Sequence, residues 1–254
     1  MKKKMLCLTV LTLLFGWIAL PASALPLAPA QPLAGEAAYP EGSTVDNAKF
    51  LMTYAYPQVT PETETDNNIN VFFQEAASEL MQYTAPMLLE QAGGSTEAGI
   101  SAYMHINYQI TANTDDFLSV VLTREEFMGA AESQTIQATV FARKGDSAGG
   151  LVTLPAVMGI SEEDEASATN LIDTVYRLVW DIIVEQMQTG DVEYFEELTE
   201  ENLFAEFYPE SDFYLDDQGN VVFFVQPSMI ASGAAGLITF PFSPAELIGE
   251  MPKN

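Results

Sequence analysis

The patterning of this 254-residue chain predicts an α+β fold, with antiparallel sheets packed against helices in two closely associated subdomains. Three observations carry that prediction. Segments with period-two alternation follow one another across short polar turns, which marks hairpins, whereas a β–α–β fold alternates strand with helix. Two longer segments repeat apolar residues at helical spacing. Apolar residues make up 48% of the chain, enough to offset the entropy of ordering it, so its large negative charge sits on a folded protein.

Residues 1–24 have a basic start (Lys2, Lys3, Lys4), an apolar run over 5–20, and then Pro21 and Ala22-Ser23-Ala24. These are the three regions of a secretory signal peptide, with cleavage expected after Ala24. The apolar run is shorter than the roughly 20 residues a membrane-spanning helix needs, so no stable membrane insertion is expected after cleavage. Cys7 precedes most of that run, where a lipid-modified cysteine should follow it. The Pro- and Ala-rich residues 25–45 read as an extended linker. Residues 49–56 then read as a strand closed by Pro57. Beyond a polar turn over 60–68, the spacing of Ile69, Phe72, Phe73, Ala76, Leu80 and Met87 predicts an amphipathic helix from near Asn68 to Ala85-Pro86.

Residues 103–110 alternate, with Met104, Ile106, Tyr108 and Ile110 on one face and Tyr103, His105, Asn107 and Gln109 on the other. This predicts a half-buried strand. Turn residues 113–115 join it to a second strand over 117–123, and a third alternating run covers 135–142. Ser161-Glu-Glu-Asp164 predicts the start of the longest helix, with Ser161 as its cap. Leu171, Val175, Leu178, Val179 and Ile182 form its buried stripe, and Thr189-Gly190 stops it. The acidic stretch 191–210 predicts short helices over the core. Residues 212–225 spell strand, tight turn, strand; a last strand over 237–240 precedes a short helix over 243–249.

Charge excludes several function classes. Nine Lys and Arg against 36 Asp and Glu give a net charge of −27, which repels phosphate backbones, so no nucleic-acid partner is expected. Loss of the signal segment leaves Lys49, Arg124, Arg143, Lys144, Arg177 and Lys253 against the same acids, a charge of −30, and no cysteine. The secreted chain then has no disulfide, thiolate nucleophile or cysteine zinc site and depends on its hydrophobic core. Its expected location is extracellular.

The tail, residues 213–247, with its Phe213-Tyr-Leu-Asp-Asp-Gln-Gly-Asn220 hairpin, the small-residue run Ser228-Met-Ile-Ala-Ser-Gly-Ala-Ala-Gly236 and the final apolar strand, resembles the extracellular RsiV-like domain family. Tyr56-Pro-Gln-Val59 with Ile69-Asn70 is similar to the start of the companion domain upstream in RsiV and in PdaC-type peptidoglycan deacetylases. The resemblance spans about residues 54–247. It implies a signal peptide over 1–24, a linker over 25–45, an N-terminal PdaC/RsiV-type subdomain over 46–125 and a C-terminal RsiV-like subdomain over 126–254. It also implies a non-enzymatic binding or sensor module at the bacterial cell surface, with lysozyme or a cell-wall component as partner and no cofactor. Two features depart from the family. Gly129-Ala-Ala-Glu132 stands where the family often carries Gly-Gly-Ala-His, and only four residues precede the apolar run. An anti-sigma role is therefore not expected, nor is the separate deacetylase domain of PdaC-type enzymes.

No residue is assigned a catalytic, metal-binding or cofactor-binding role, because each candidate has a plainer reading. His105 lies on the polar face of its strand without a nominated partner. The acids over 193–210 could supply the carboxylate pair of a cell-wall hydrolase, the alternative function, yet so many acids guarantee pairs by number. Residues 212–220 lack the ligand spacing of a calcium loop and read as a hairpin turn. Ser147 and Ser232 lack a nucleophile-elbow pattern and a base. Partner contacts are expected on aromatic residues of exposed strands near the loop over 228–236.

Overall fold

A computed structural model describes residues 31–92, 101–161 and 163–252. The expected signal peptide and Cys7 lie outside the described residues. The fold is α+β, with two sheets and the helices that cover them. The first sheet has five strands, β1 (Leu33–Tyr39), β2 (Phe50–Tyr56), β3 (Ala102–Asn113), β4 (Phe117–Phe127) and β5 (Glu132–Ala142), in that spatial order. The second has three, β6 (Phe213–Leu215), β7 (Val221–Val225) and β8 (Ile238–Phe242). All neighbours are antiparallel except β2 and β3. That pair is parallel because the helical segment between them is a crossover, which a hairpin cannot supply.

Strand β1 lies within the stretch expected as linker, and the expected boundary at 125/126 falls inside β4. Ala and Gly gave β1 too weak an alternation to read, but Leu33, Gly35 and Ala37 do turn inward. Glycine at 35 is required by packing, since a Cβ there would stand 2.5 Å from the Tyr54 hydroxyl.

The crossover is helix α1 (Glu64–Glu79), a wide π turn (Leu80–Thr84) and helix α2 (Ala85–Gln91). Helix α1 starts four residues earlier than expected. Thr63 and Asp66 form a reciprocal capping box, hidden in the sequence because Asp takes the place usual for Glu or Gln. Beyond the expected end at Pro86, the helix continues because the π turn, closed by the Ala85 N–H donating to the Leu80 carbonyl, precedes the proline. The extra residue also rotates the buried stripe, which runs Ile69, Phe73, Leu80, Ala85, Leu88 and leaves Met87 exposed.

The first core lies between α1 and one face of the sheet, around Phe50, Met52, Phe73, Met104, Leu118 and Phe141. The buried side chain of Asn70 explains why the Tyr56-Pro-Gln-Val59 and Ile69-Asn70 segments belong together. Its Nδ2 donates to the Val59 carbonyl and its Oδ1 accepts the Val59 N–H, both at 2.8 Å.

Between the sheets lie the helical turn α3 (Leu154–Val157), α4 (Glu165–Thr189) and α5 (Glu200–Glu206); α6 (Pro244–Glu250) follows β8. Helix α4 is capped by Asp164 and not by Ser161, since the Asp164 carboxylate accepts the Ser167 N–H at 3.1 Å. Gly190, with φ of +75°, ends it in the left-handed conformation that suits glycine. Leu171, Val175, Val179 and Ile183 are its fully buried stripe, with Leu178 and Ile182 at the margins, packed on Phe213, Phe223 and Phe240. In the acidic stretch, α5 buries Leu203 and leaves Phe204 exposed.

The second sheet docks on the other face of the first. Val121 and Ile136 pack against Phe224, and the buried Ser119 hydroxyl accepts the Leu215 N–H at 3.0 Å. The Gln226 amide pairs with both backbone groups of Ile136 on edge strand β5, at 2.7 and 2.9 Å.

Replacing Asn70 with Ala leaves a buried N–H and carbonyl of Val59 unpaired. The expected loss is about 2–4 kcal/mol of unfolding free energy, read from the denaturant midpoint.

Candidate binding cleft

At the C-terminal end of β4 the first sheet extends past the second, and one face stays open. Register decides what stands there. Tyr103 pairs with Phe127, His105 with Glu125, and Phe127 with Glu132 across adjacent strands, so these side chains share one face. The Tyr103 and His105 rings stack with centroids 4.7 Å apart, and Tyr103 stacks on Phe127 at 5.7 Å. The Tyr103 hydroxyl donates to Glu132 at 2.7 Å, and His105 Nδ1 shares a 2.7 Å hydrogen bond with the Thr53 hydroxyl. The row of rings is thereby held on its side by groups from β2 and β5.

The opposite wall is the chain after β7. Pro227, Ser228 and Gly233 face Tyr103, Glu125 and Gln134 across a cleft of about 520 Å³. Ser228 has φ of +68°, the one non-glycine residue with positive φ among the described residues. Such strain is tolerated where the surroundings hold it and concentrates at binding sites. Gly233 lies close beside it, since a Cβ there would be 3.1 Å from the Ser228 hydroxyl. The short 3₁₀ turn Gly233–Ala235 completes the loop. Tyr103, an aromatic residue of β3, thus stands opposite Ser228 and Gly233 of the loop over 228–236. Sequence reading missed Glu125, Phe127, Glu132 and Gln134, because only the β3–β4–β5 register brings them to Tyr103. Glu132, which stands where the resembled family often has His, is the acceptor that fixes Tyr103.

The other candidates do not come together. His105 bonds Thr53 and stacks on Tyr103. In the acidic stretch Glu206 is half-buried and Glu193, Glu196, Glu197, Glu200, Glu201 and Glu210 are exposed. Residues 216–220 are the β6–β7 turn: Asp216 accepts the N–H groups of Gln218 and Asn220 and the Asn220 side chain, at 2.8–2.9 Å. Its carboxylate is thereby used in shaping the turn. Ser147 and Ser232 are exposed, and their hydroxyls have no hydrogen-bond partner among the described residues. No three His, Asp or Glu among the described residues lie close enough to hold a metal ion. No helix among them is long and apolar enough to cross a membrane.

Asp212 is the buried acid of this half. Burial pushes its carboxyl up to about 6, the Tyr208 N–H bonded to it at 2.8 Å pulls the other way, and Glu210 adds to the rise.

Comparison with known proteins finds two family models that match successive parts of the chain. The family described as "Deacetylase PdaC" matches residues 43–135, and a protein family of unknown function, DUF3298, matches residues 165–243. The crystal structure of a DUF3298 family protein from Pseudomonas aeruginosa PAO1 superposes with a TM-score of 0.56 at 14% identity, over 89% of this chain and 95% of that one. A DUF3298 member from Bacteroides fragilis gives 0.52 at 16% identity, over 90% and 96%. At these identities the likeness shows the fold. No curated protein matches the chain.

Because the native Asp212 carboxyl holds its proton more tightly than an unfolded one near 3.8, its contribution to stability is full below about pH 4 and is lost as pH rises through about 6. Asp212→Asn keeps an acceptor for Tyr208. It is expected to raise stability at pH 8 by on the order of 1 kcal/mol, after allowance for solvent screening, and to give no gain at pH 4 in parallel urea melts.

Proposed function

We propose that this protein, similar over residues 43–135 to the PdaC family and over residues 165–243 to DUF3298, is a secreted binding or sensor module of the bacterial cell surface that acts without catalysis. The single observation that supports this best is the cleft itself. Tyr103, stacked between His105 and Phe127 and bonded to Glu132, lines it opposite a loop with a strained Ser228. Aromatic side chains held in place supply contact area at low entropic cost, which is how a few residues dominate an interface.

The partner proposed is a basic protein such as lysozyme, or else a wall component. Glu125 and Glu132 line the cleft, no Lys or Arg does, and the chain carries −27 overall. Such a surface speeds encounter with a basic protein. The carboxylates over 193–210 are exposed apart from the half-buried Glu206, the setting of a solvated face, and give the hydrolase alternative no support.

Calorimetry with hen-type lysozyme tests this at low salt and at about 0.15 M salt, where screening acts within roughly 8 Å. Binding that persists at the higher salt, and weakens at least about tenfold in Tyr103→Ala/Phe127→Ala at unchanged melting temperature, is the expected result. Binding that vanishes with salt restricts lysozyme to charge attraction and turns the search to wall fragments. Turnover of labelled peptidoglycan by the wild-type chain, abolished by substituting one or two acids over 193–210, would overturn the non-catalytic reading.

A further inference from the structure

On the opposite face of the first sheet, away from the cleft, lies a second concavity of about 400 Å³. Helix α1 and the π turn form one wall, and β2 to β5 form the floor. The helix contributes a small residue, Ala76, to its lining. Its lining is divided by chemistry. Phe72, Ala76, Leu80, Ile106 and Leu122 make an apolar surface.

At one side of that surface stands Arg124, one of only nine basic side chains in the protein. It occupies a strand position whose register neighbours on this face include Ile106. Its Nε is paired with Glu126 on the same face. Its two terminal nitrogens donate to no protein atom among the described residues, and Thr135 and Gln137 line the floor beside it. Glu75 and Glu79, one turn apart on α1, form the other rim, and neither has a cationic partner among the described residues. Tyr56 lines the same cavity. Burial pushes its phenol up to about 12, Arg124 lowers it, and Glu79 is among the groups that raise it.

A cavity that holds, beside its apolar wall, a guanidinium whose two terminal nitrogens meet no protein acceptor among the described residues and two carboxylates without a cationic partner has a definite complement. The fork matches a carboxylate in bidentate fashion, the rim acids match an ammonium, and the wall takes an aliphatic side chain. A lone anion meets Glu75 and Glu79, and a lone cation meets Arg124, so a molecule with only one charge is opposed at one end. We propose that this cavity binds a zwitterionic short peptide with apolar side chains, its carboxylate on Arg124 and its ammonium at Glu75 and Glu79.

Leucyl-leucine is the probe, titrated calorimetrically into the whole protein beside N-acetyl-leucyl-leucine, which lacks the ammonium, and leucyl-leucinamide, which lacks the carboxylate. The expected result is saturable one-to-one binding of leucyl-leucine, with each single-charge analogue at least about tenfold weaker. The paired substitution Arg124→Gln/Glu126→Gln conserves net charge and leaves no partner uncompensated. It should bring leucyl-leucine down to the affinity of leucyl-leucinamide and leave that analogue unchanged. Ala76→Leu fills the cavity from the helix side and should abolish binding with circular dichroism unaltered, so the inference stays testable even if the paired variant fails to fold. Absence of saturable heat up to about 10 mM probe, equal affinity for leucyl-leucine and either analogue, or binding indifferent to Ala76→Leu would each overturn it. None of these outcomes bears on the cleft, which lies on the other face.

Discussion

Strand β4 is buried on both sides. Leu118, Ser119, Val120, Val121 and Leu122 are all below a tenth exposed, without the alternation of a surface strand. A strand of this kind is stable only if each face has its own cover. Leu118, Val120 and Leu122 need α1; Ser119 and Val121 need the second sheet. That double requirement makes one body of the two sheets and their helices. It also explains why the docking contacts are neutral, a serine hydroxyl, a glutamine amide and apolar side chains, since a charge in that layer would be desolvated on both sides. The Gln226 amide does a second job there, because it occupies the free backbone groups of an edge strand that would otherwise invite pairing with another chain.

Both concavities follow from the same strand. Past the buried run, residues 124–127 are half-buried or exposed. Arg124 and Glu126 turn to the α1 side and Glu125 and Phe127 to the other. The two sites are therefore back to back on a few residues of one strand. A one-residue slip would exchange the contents of the two faces. The register is fixed where it matters least chemically, in the buried run from Leu118 to Leu122, and is read out where it matters most.

How much of this was legible follows from the range of each signal. Period-two strands and the α4 stripe are local patterns, and the sequence shows them. The hairpin turn at 216–220 is equally local, because Asp216 folds the chain around its own carboxylate. Strand β1 was hidden because Ala and Gly carry little hydrophobic contrast, and its conformation is imposed by β2. The π turn was hidden because it differs from an α-helix by one residue, and Pro86 reads more readily as an end than as the reason for a wider turn. The cleft was half legible. Tyr103 and His105 on an exposed face, and the small-residue loop, could be read directly; their partners Phe127 and Glu132 lie on other strands, and no local pattern states a register. Arg124 drew no notice because a single cation in a polar strand end means nothing until a cavity forms over it.

Charge sets how selective such a surface must be. Of the described cations, Arg124 is paired with Glu126, Lys144 with Asp115 and Asp116, and Arg177 with Asp181 and Glu250. Arg143 is spent on Asn113 and the Thr114 carbonyl. Most of the other acids among the described residues are exposed. A basic protein is therefore attracted to almost any part of this molecule, and attraction of that kind is screened at physiological salt. Charge brings a partner near without choosing where it lands. The choice has to come from short-range contacts that salt leaves intact, and among the described residues stacked rings with their edges fixed by hydrogen bonds occur on one open face, beside a loop whose backbone is already strained into place. For a basic protein, then, the surface carboxylates set how often it arrives, and ordered short-range contacts would have to set where it stays.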